Sequence, residues 1–193
     1  RSAEGFVLRN CWLHDNFQVN DELAVHGPVG NFNAIDYPAD KLLLLSGGVG
    51  ITPLMSMARW FFDTNAAVDI EFVHSARTPK DVIFHRELEH IFSRIPDFRL
   101  HIVCERGDDL GEAWSGFRGF LNQPMLELMA PDFMEREIFC CGPEPYMNAV
   151  KSLLCSNGFD MSHYHDESFG ATPAQVQEDV LELAEQAESE AED

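Results

Sequence analysis

Four consecutive leucines, Leu42 to Leu45, run without a break into Ser46-Gly47-Gly48-Val49-Gly50-Ile51-Thr52-Pro53. A continuous apolar run of this kind is the pattern of a strand covered on both faces. The glycines free the backbone for a tight turn, and Pro53 suits the first turn of a following helix. A buried strand, a Gly-rich turn and a helix start form the setting in which backbone N–H groups and the helix dipole receive a phosphate. A tight strand-to-helix turn that binds nothing is the other reading of the same residues. The pattern is not a P-loop, because no Gly-Lys-Ser/Thr follows. Nor is it a strict G-x-G-x-x-G.

The chain after this turn alternates between two periods. Helical spacing covers 54–62, 82–92, 123–130 and 144–156, and strand-like runs cover 68–73, 99–104, 137–140 and 162–165. Strands alternating with helices imply βαβ units, a parallel sheet and right-handed crossovers. The expected fold is therefore α/β, with a doubly wound five-stranded parallel sheet. Residues 1–40 read as short β and loop material with one short helix at 10–17. They are too few to bury a core alone, so they are expected to end a larger β unit. The chain begins at Arg1 rather than Met and is expected to be a piece of a longer protein, cut at both ends.

Charge and cysteine usage narrow the partners and the compartment. The net charge is −20, and eight acids with no Lys or Arg follow Gly170. Such a chain repels nucleic acid and anionic membranes, so neither is an expected partner. No apolar run approaches the length of a transmembrane helix. Residues 172–193 read as a solvated, partly helical acidic linker. The five cysteines form no C-x-x-C pair, which points to a reduced, cytoplasmic protein rather than a disulfide scaffold.

Two further turns sit at expected strand ends. Cys140-Cys141-Gly142-Pro143-Glu144-Pro145-Tyr146-Met147 follows one strand, and Ser75-Ala76-Arg77-Thr78-Pro79 follows another. In open α/β sheets, ligands bind beyond the carboxyl ends of strands, near the point where strand order reverses. Cys141 on its own reads equally as a small buried hydrophobe. Arg77 reads as a phosphate contact or as a solvated loop charge. His163 and His165 share one strand face, but no Cys/His set completes a metal site, and none is expected. Neither Ser46 nor Ser75 lies in a G-x-S-x-G elbow, so hydrolase chemistry is not expected.

Taken in order, these motifs resemble the ferredoxin–NADP reductase superfamily. The turn from Gly47 to Pro53 and the Cys141-Gly142-Pro143 motif with Met147 match closely. Glu22 to Phe32 resembles the end of the family's antiparallel flavin-binding β-barrel. His163 to Pro173 resembles the close of the nucleotide domain in a subgroup that carries a plant-type [2Fe–2S] domain after a linker. That subgroup includes NADH reductases serving hybrid-cluster proteins and Rieske-type oxygenases of betaine- or carnitine-like compounds. The family's Arg-x-Tyr-Ser/Thr flavin motif would precede Arg1. Its pyrophosphate loop corresponds to residues 7–14, with Asn10 at the usual serine position, still able to donate a hydrogen bond.

The resemblance implies residues 1–38 as the remnant of the FAD domain, 39–170 as the NAD(P) domain, and 171–193 as a linker towards an iron–sulfur domain. No C-x₄-C-x₂-C spacing exists within the chain, so the cluster would lie outside it. It implies hydride transfer from nicotinamide to FAD and single-electron transfer onward to an iron–sulfur domain, an oxygenase or a hybrid-cluster protein. Cys141 and Glu167 would line the hydride-transfer site. Ser46, Gly47, Gly48, Gly50, Thr52, Pro53, Arg77, Gly142, Pro143 and Met147 would hold the nucleotide. Asn10 and Phe169 would contact the flavin. Only Arg77 and Lys80 are basic after the second strand, with Glu71 and Asp81 nearby, so NADH is expected over NADPH. A nucleotide-sensing module without redox turnover is the alternative, and flavin absorbance would separate the two.

Overall fold

The computed structural model describes residues 15–22, 30–107 and 114–169. The chain divides into two compact units, 31–168 and the combination of 1–30 with 169–193. The larger unit holds β1 (Lys41–Gly47), α1 (Ile51–Thr64), β2 (Asp69–Ala76), α2 (His85–Phe92) and β3 (Phe98–Cys104). It continues through β4 (Phe117–Arg118), α3 (Gln123–Met129), β5 (Glu137–Cys141), α4 (Glu144–Ser156) and β6 (Tyr164–Glu167). The strand order is β4-β3-β2-β1-β5-β6, and every pairing is parallel.

The sheet thus has six strands where five were expected. The extra strand, β4, is two residues long and pairs only with Val103 and Cys104. Two residues carry no periodicity for a sequence to display. The strand expected at 162–165 lies at Tyr164–Glu167, because the Asp160 side chain caps a 3₁₀ turn over Met161–His163. The helix expected from 82 starts at His85. A Thr78–Asp81 capping box closes a separate 3₁₀ turn first, and Phe84 then turns into the left-handed region at φ 58°. Of the short helix expected at 10–17, only residues 15–16 are helical among those described. Residues 1–14, Asn10 included, lie outside the described residues, as do 23–29, most of the stretch expected to close a β-barrel. The acidic tail from 170 onward lies outside them too.

The leucine run shows why the sheet is covered on both sides. Neighbouring residues of a strand face opposite ways. Leu42 and Leu44 join Ile51, Leu54 and Met55 of α1 and Leu88 and Ile91 of α2. Leu43 and Leu45 join Leu126 and Met129 of α3 and Met147, Val150 and Leu154 of α4. Each fully buried leucine contributes about 2 kcal/mol. The helix after β1 therefore covers one face and the helix after β5 the other. The chain reverses its winding between these two neighbouring strands, and a crevice opens at their carboxyl ends.

The amino ends of the same strands are held by charge. Glu71 and Arg136 are each only 3% exposed. Arg99 Nε donates to Glu71 Oε1 at 2.5 Å, and Arg99 Nη2 donates to Asp69 Oδ1 at 2.6 Å. Arg136 reaches Asp69 at 2.7 Å, Asp132 at 2.6 Å and the Leu42 carbonyl at 3.1 Å. Burial alone would raise the Asp132 carboxyl, but Arg136 and Lys41 outweigh it and hold it down to about 2. No helix among the described residues is long and apolar enough to cross a membrane.

Candidate functional site

The crevice between β1 and β5 is floored by backbone. Ser46 is in register with Cys141, Cys141 with Glu167, and Gly47 with Ser75, so four strand ends lie side by side. A Cβ built on Gly50 would meet the Cys141 carbonyl oxygen at 2.2 Å and the Gly142 nitrogen at 2.5 Å. A Cβ on Gly142 would lie 3.2 Å from Gly47 Cα and 2.8 Å from the Tyr146 ring. The two glycine turns therefore touch, and a side chain at either contact would part them.

Gly48 differs from its neighbours. Its φ is +52°, and a Cβ there would have nothing within 4 Å. The residue is needed for its conformation, and the space above it is open. The helix that follows, α1, begins on Gly50 with no side-chain cap and no acid in its first turn. The Ile51 N–H turns back to the Gly48 and Val49 carbonyls and Pro53 has none, so what this end offers an anion is the positive end of the helix dipole and the turn before it. An open turn at an uncapped helix start is the setting in which a phosphate is received.

The expected site residues fall into three groups. Gly47, Gly48, Gly50, Gly142 and the exposed Pro143 form the two turns, and half-buried Pro53 opens α1. Thr52 is exposed there, its hydroxyl donating to the Val49 carbonyl at 3.1 Å. Cys141 is fully buried at its strand end, and burial, aided by the Glu167 and Asp166 charges, pushes its thiol up to about 12. Glu167 is exposed beside it, with its carboxyl raised by partial burial. A thiol so raised stays neutral at neutral pH.

In the second group the side chain turns inward. Ser46 is 0% exposed, and its hydroxyl sits 2.8 Å from His74 Nδ1 and 3.3 Å from the Val73 carbonyl. Its side chain faces the interior rather than the crevice. Met147 packs with Leu45, Cys140 and Val150 beneath the second turn. The third group falls outside the larger unit. Phe169 is 42% exposed and belongs to the smaller unit, and Asn10 lies outside the described residues. His163 and His165 both turn to the Glu137 carboxylate, at 2.8 and 2.5 Å.

Three residues that the sequence did not single out lie at the site. His74 is fully buried under the first turn, and burial, with the nearby His85, lowers it to about 4. The Tyr146 ring rests against Gly47 and Gly142. Arg106 donates its backbone N–H to the Arg77 carbonyl at 3.0 Å, continuing the β2–β3 ladder past the strand ends. Arg77 and Arg106 are both exposed, and neither side chain makes a hydrogen bond or ion pair among the described residues. Only pairing across the sheet brings these two together, so no local motif could have marked Arg106.

Residues 44–152 match the family model described as the oxidoreductase NAD-binding domain. The chain is 79% identical to the glycine betaine monooxygenase reductase subunit of Chromohalobacter salexigens, over 94% of the chain and 49% of that protein. It is 44% identical to the stachydrine N-demethylase reductase subunit of Rhizobium meliloti, over 88% of the chain and 49% of that protein. The chain thus spans about half the length of the curated relatives it matches. Among solved structures it is similar to the flavohem-like FAD/NAD binding domain of nitric oxide dioxygenase from Vibrio cholerae. That match has a TM-score of 0.68 and 23% identity, and covers 83% of this chain and 64% of the other.

Proposed function

The chain belongs to the oxidoreductase NAD-binding domain family, and from that membership we propose that it is the nucleotide-binding part of an NADH-dependent flavoprotein reductase. The observation that carries this reading is Gly48, which holds a left-handed φ beneath open space at the uncapped start of α1. The turn from Gly47 to Gly50 and the positive end of the α1 dipole would hold the pyrophosphate, with Thr52 and Pro53 framing it. Arg77 and Arg106 would lie along the adenosine half, where the ends of β2 and β3 meet. Cys141, Gly142 and Pro143 would flank the nicotinamide, over a base packed by Met147. Glu167 would stand at the rim of the same pocket.

When both cofactors are bound, the nicotinamide supplies a hydride, and FAD accepts it and releases single electrons. What the chain's own residues do is orient the nucleotide and keep water from it. No side chain here has to take a proton. FAD would be held by the part of the protein that includes residues 1–38, with Asn10 at its pyrophosphate and Phe169 against its ring. Residues 39–170 would be the nucleotide domain, and 171–193 a linker towards a [2Fe–2S] domain. The acceptor would be that domain or an oxygenase component, by analogy with relatives named for betaine and stachydrine chemistry. The acidic chain would suit a basic docking face on such a partner. The buried free thiols Cys104, Cys140 and Cys141 accord with a reducing, cytoplasmic setting.

The test is the colour of the full-length protein and its response to NADH. A yellow protein whose flavin band bleaches anaerobically on adding NADH supports the reading. A protein that binds NADH but carries no flavin supports a nucleotide-binding module without redox turnover.

A further inference from the structure

Tyr146 sits in the first turn of α4, outside the residues that the family resemblance singles out. Its ring meets both turns of the crevice. A Cβ on Gly47 would lie 3.0 Å from Tyr146 Cγ and Cδ1, and a Cβ on Gly142 would lie 2.8 Å from Cδ1. The hydroxyl end lies beside the Ser75 hydroxyl at the end of β2, and both hydroxyls are buried without a hydrogen bond of ordinary geometry. One rigid side chain thus runs from α4 across the ends of β5 and β1 to the end of β2. These are the three places where the proposed function puts nicotinamide, pyrophosphate and adenosine.

We propose that Tyr146 is a positioning residue: its ring sets the spacing between the Gly47–Gly50 turn and the Cys141–Pro143 turn, and so the reach from bound pyrophosphate to the nicotinamide. This rests on the function proposed above. Loop ends are the parts of a fold with the least cooperative support. The turns touch through Gly50 and Gly142, and a flat ring laid against both Gly47 and Gly142 keeps that contact from opening or sliding. A misplacement of about 1 Å at a reacting centre costs on the order of 10²-fold in rate. The ring performs this role and the hydroxyl does not. Unpartnered, the hydroxyl adds nothing that phenylalanine lacks.

The experiment compares Tyr146→Phe and Tyr146→Leu in the full-length flavoprotein. ADP binding probes the pyrophosphate and adenosine side alone, and anaerobic single-turnover flavin reduction by NADH probes the spacing between the turns. Tyr146→Phe is expected to match the wild type in both. Tyr146→Leu is expected to keep its ADP affinity and to slow flavin reduction on the order of 10²-fold. If Tyr146→Leu does not fold, Tyr146→Met, which keeps an apolar side chain but no flat ring, is expected to show the same split. Flavin reduction at the wild-type rate in the leucine or methionine variant overturns the proposal. A parallel loss of ADP affinity also overturns it, since the ring would then merely hold the first turn together. A wild type that binds ADP but is not reduced by NADH contradicts the proposed function, and this role with it.

Discussion

Gly48 and Gly50 stand two residues apart in one turn, yet they respond to different forces. Alanine at Gly50 drives a Cβ into the Cys141 backbone at 2.2 Å. Neither backbone can yield, so the cost lies at or above the roughly 1–3 kcal/mol usual for overpacking. Alanine at Gly48 meets no atom and pays only for its left-handed φ, roughly 1–2 kcal/mol. Thermal unfolding should therefore show Gly50→Ala as the severe variant, whereas ADP titration should show Gly48→Ala as folded but weakened in binding.

At the same scale, His74 makes stability depend on pH. Burial holds its folded pKa near 4, against an ordinary 6.5. As pH falls through that window the unfolded chain takes up a proton that the folded protein refuses, so stability is full above 6.5 and declines towards 4. Roughly 2 kcal/mol is lost between pH 7 and pH 5. His163, raised by Glu137, works in the opposite sense, so the comparison of wild type with His74→Gln isolates the effect. Urea unfolding at the two pH values should show a smaller difference in the variant. The thiols give another check. Cys140 and Cys141 are both pushed up to about 12 by burial, while Cys155 is exposed. Alkylation of the native protein at pH 8 should label Cys155 and spare that pair.

Among the elements, the amino ends of β1, β2, β3 and β5 depend on Arg136. Replacing it with methionine leaves Asp69 with Arg99 alone and Asp132 with Lys41 alone, and takes the guanidinium donor from the Leu42 carbonyl. Losing these partly exposed pairs and one buried hydrogen bond costs about 1–3 kcal/mol. Denaturant unfolding should show that loss, with nucleotide affinity of the folded protein unchanged, because the network lies at the end of the sheet away from the crevice. The elements also mark how far the sequence could be read. β1 was legible because four leucines running straight into a glycine turn are the pattern of a strand covered on both faces. α4 begins and ends where its periodicity places it, at Glu144 and Ser156. β4 was not legible, because it is two residues on the sheet edge. The two glycine turns could be read from their composition. The contact between them could not, because Gly47 meets Gly142 and Tyr146 only after the parallel pairing of β1 and β5 has formed. Ser46 shows the limit from the other side. Its place in the motif suggested a ligand contact, and the alternation of the strand turned its hydroxyl to His74 instead.

For the molecule as a whole, the net charge of −20 makes the two exposed arginines at the ends of β2 and β3, Arg77 and Arg106, informative. Arg106→Gln should weaken ADP binding by roughly 1 kcal/mol, about fivefold, and reduce its salt dependence, as for an exposed ion pair. Arg94→Gln, an exposed arginine beyond α2, makes the same change in charge and should leave ADP binding as it was. Equal effects of the two substitutions would mean that overall charge, and not the ladder between Arg77 and Arg106, governs affinity. In the proposed function, the crevice between β1 and β5 presents a nicotinamide dinucleotide to a flavin. Its most direct test is anaerobic stopped-flow mixing of the full-length, flavin-loaded protein with NADH. The flavin band should bleach in a single turnover, at a rate that saturates with NADH concentration. A flavin that dithionite bleaches and NADH at any concentration does not would contradict the account.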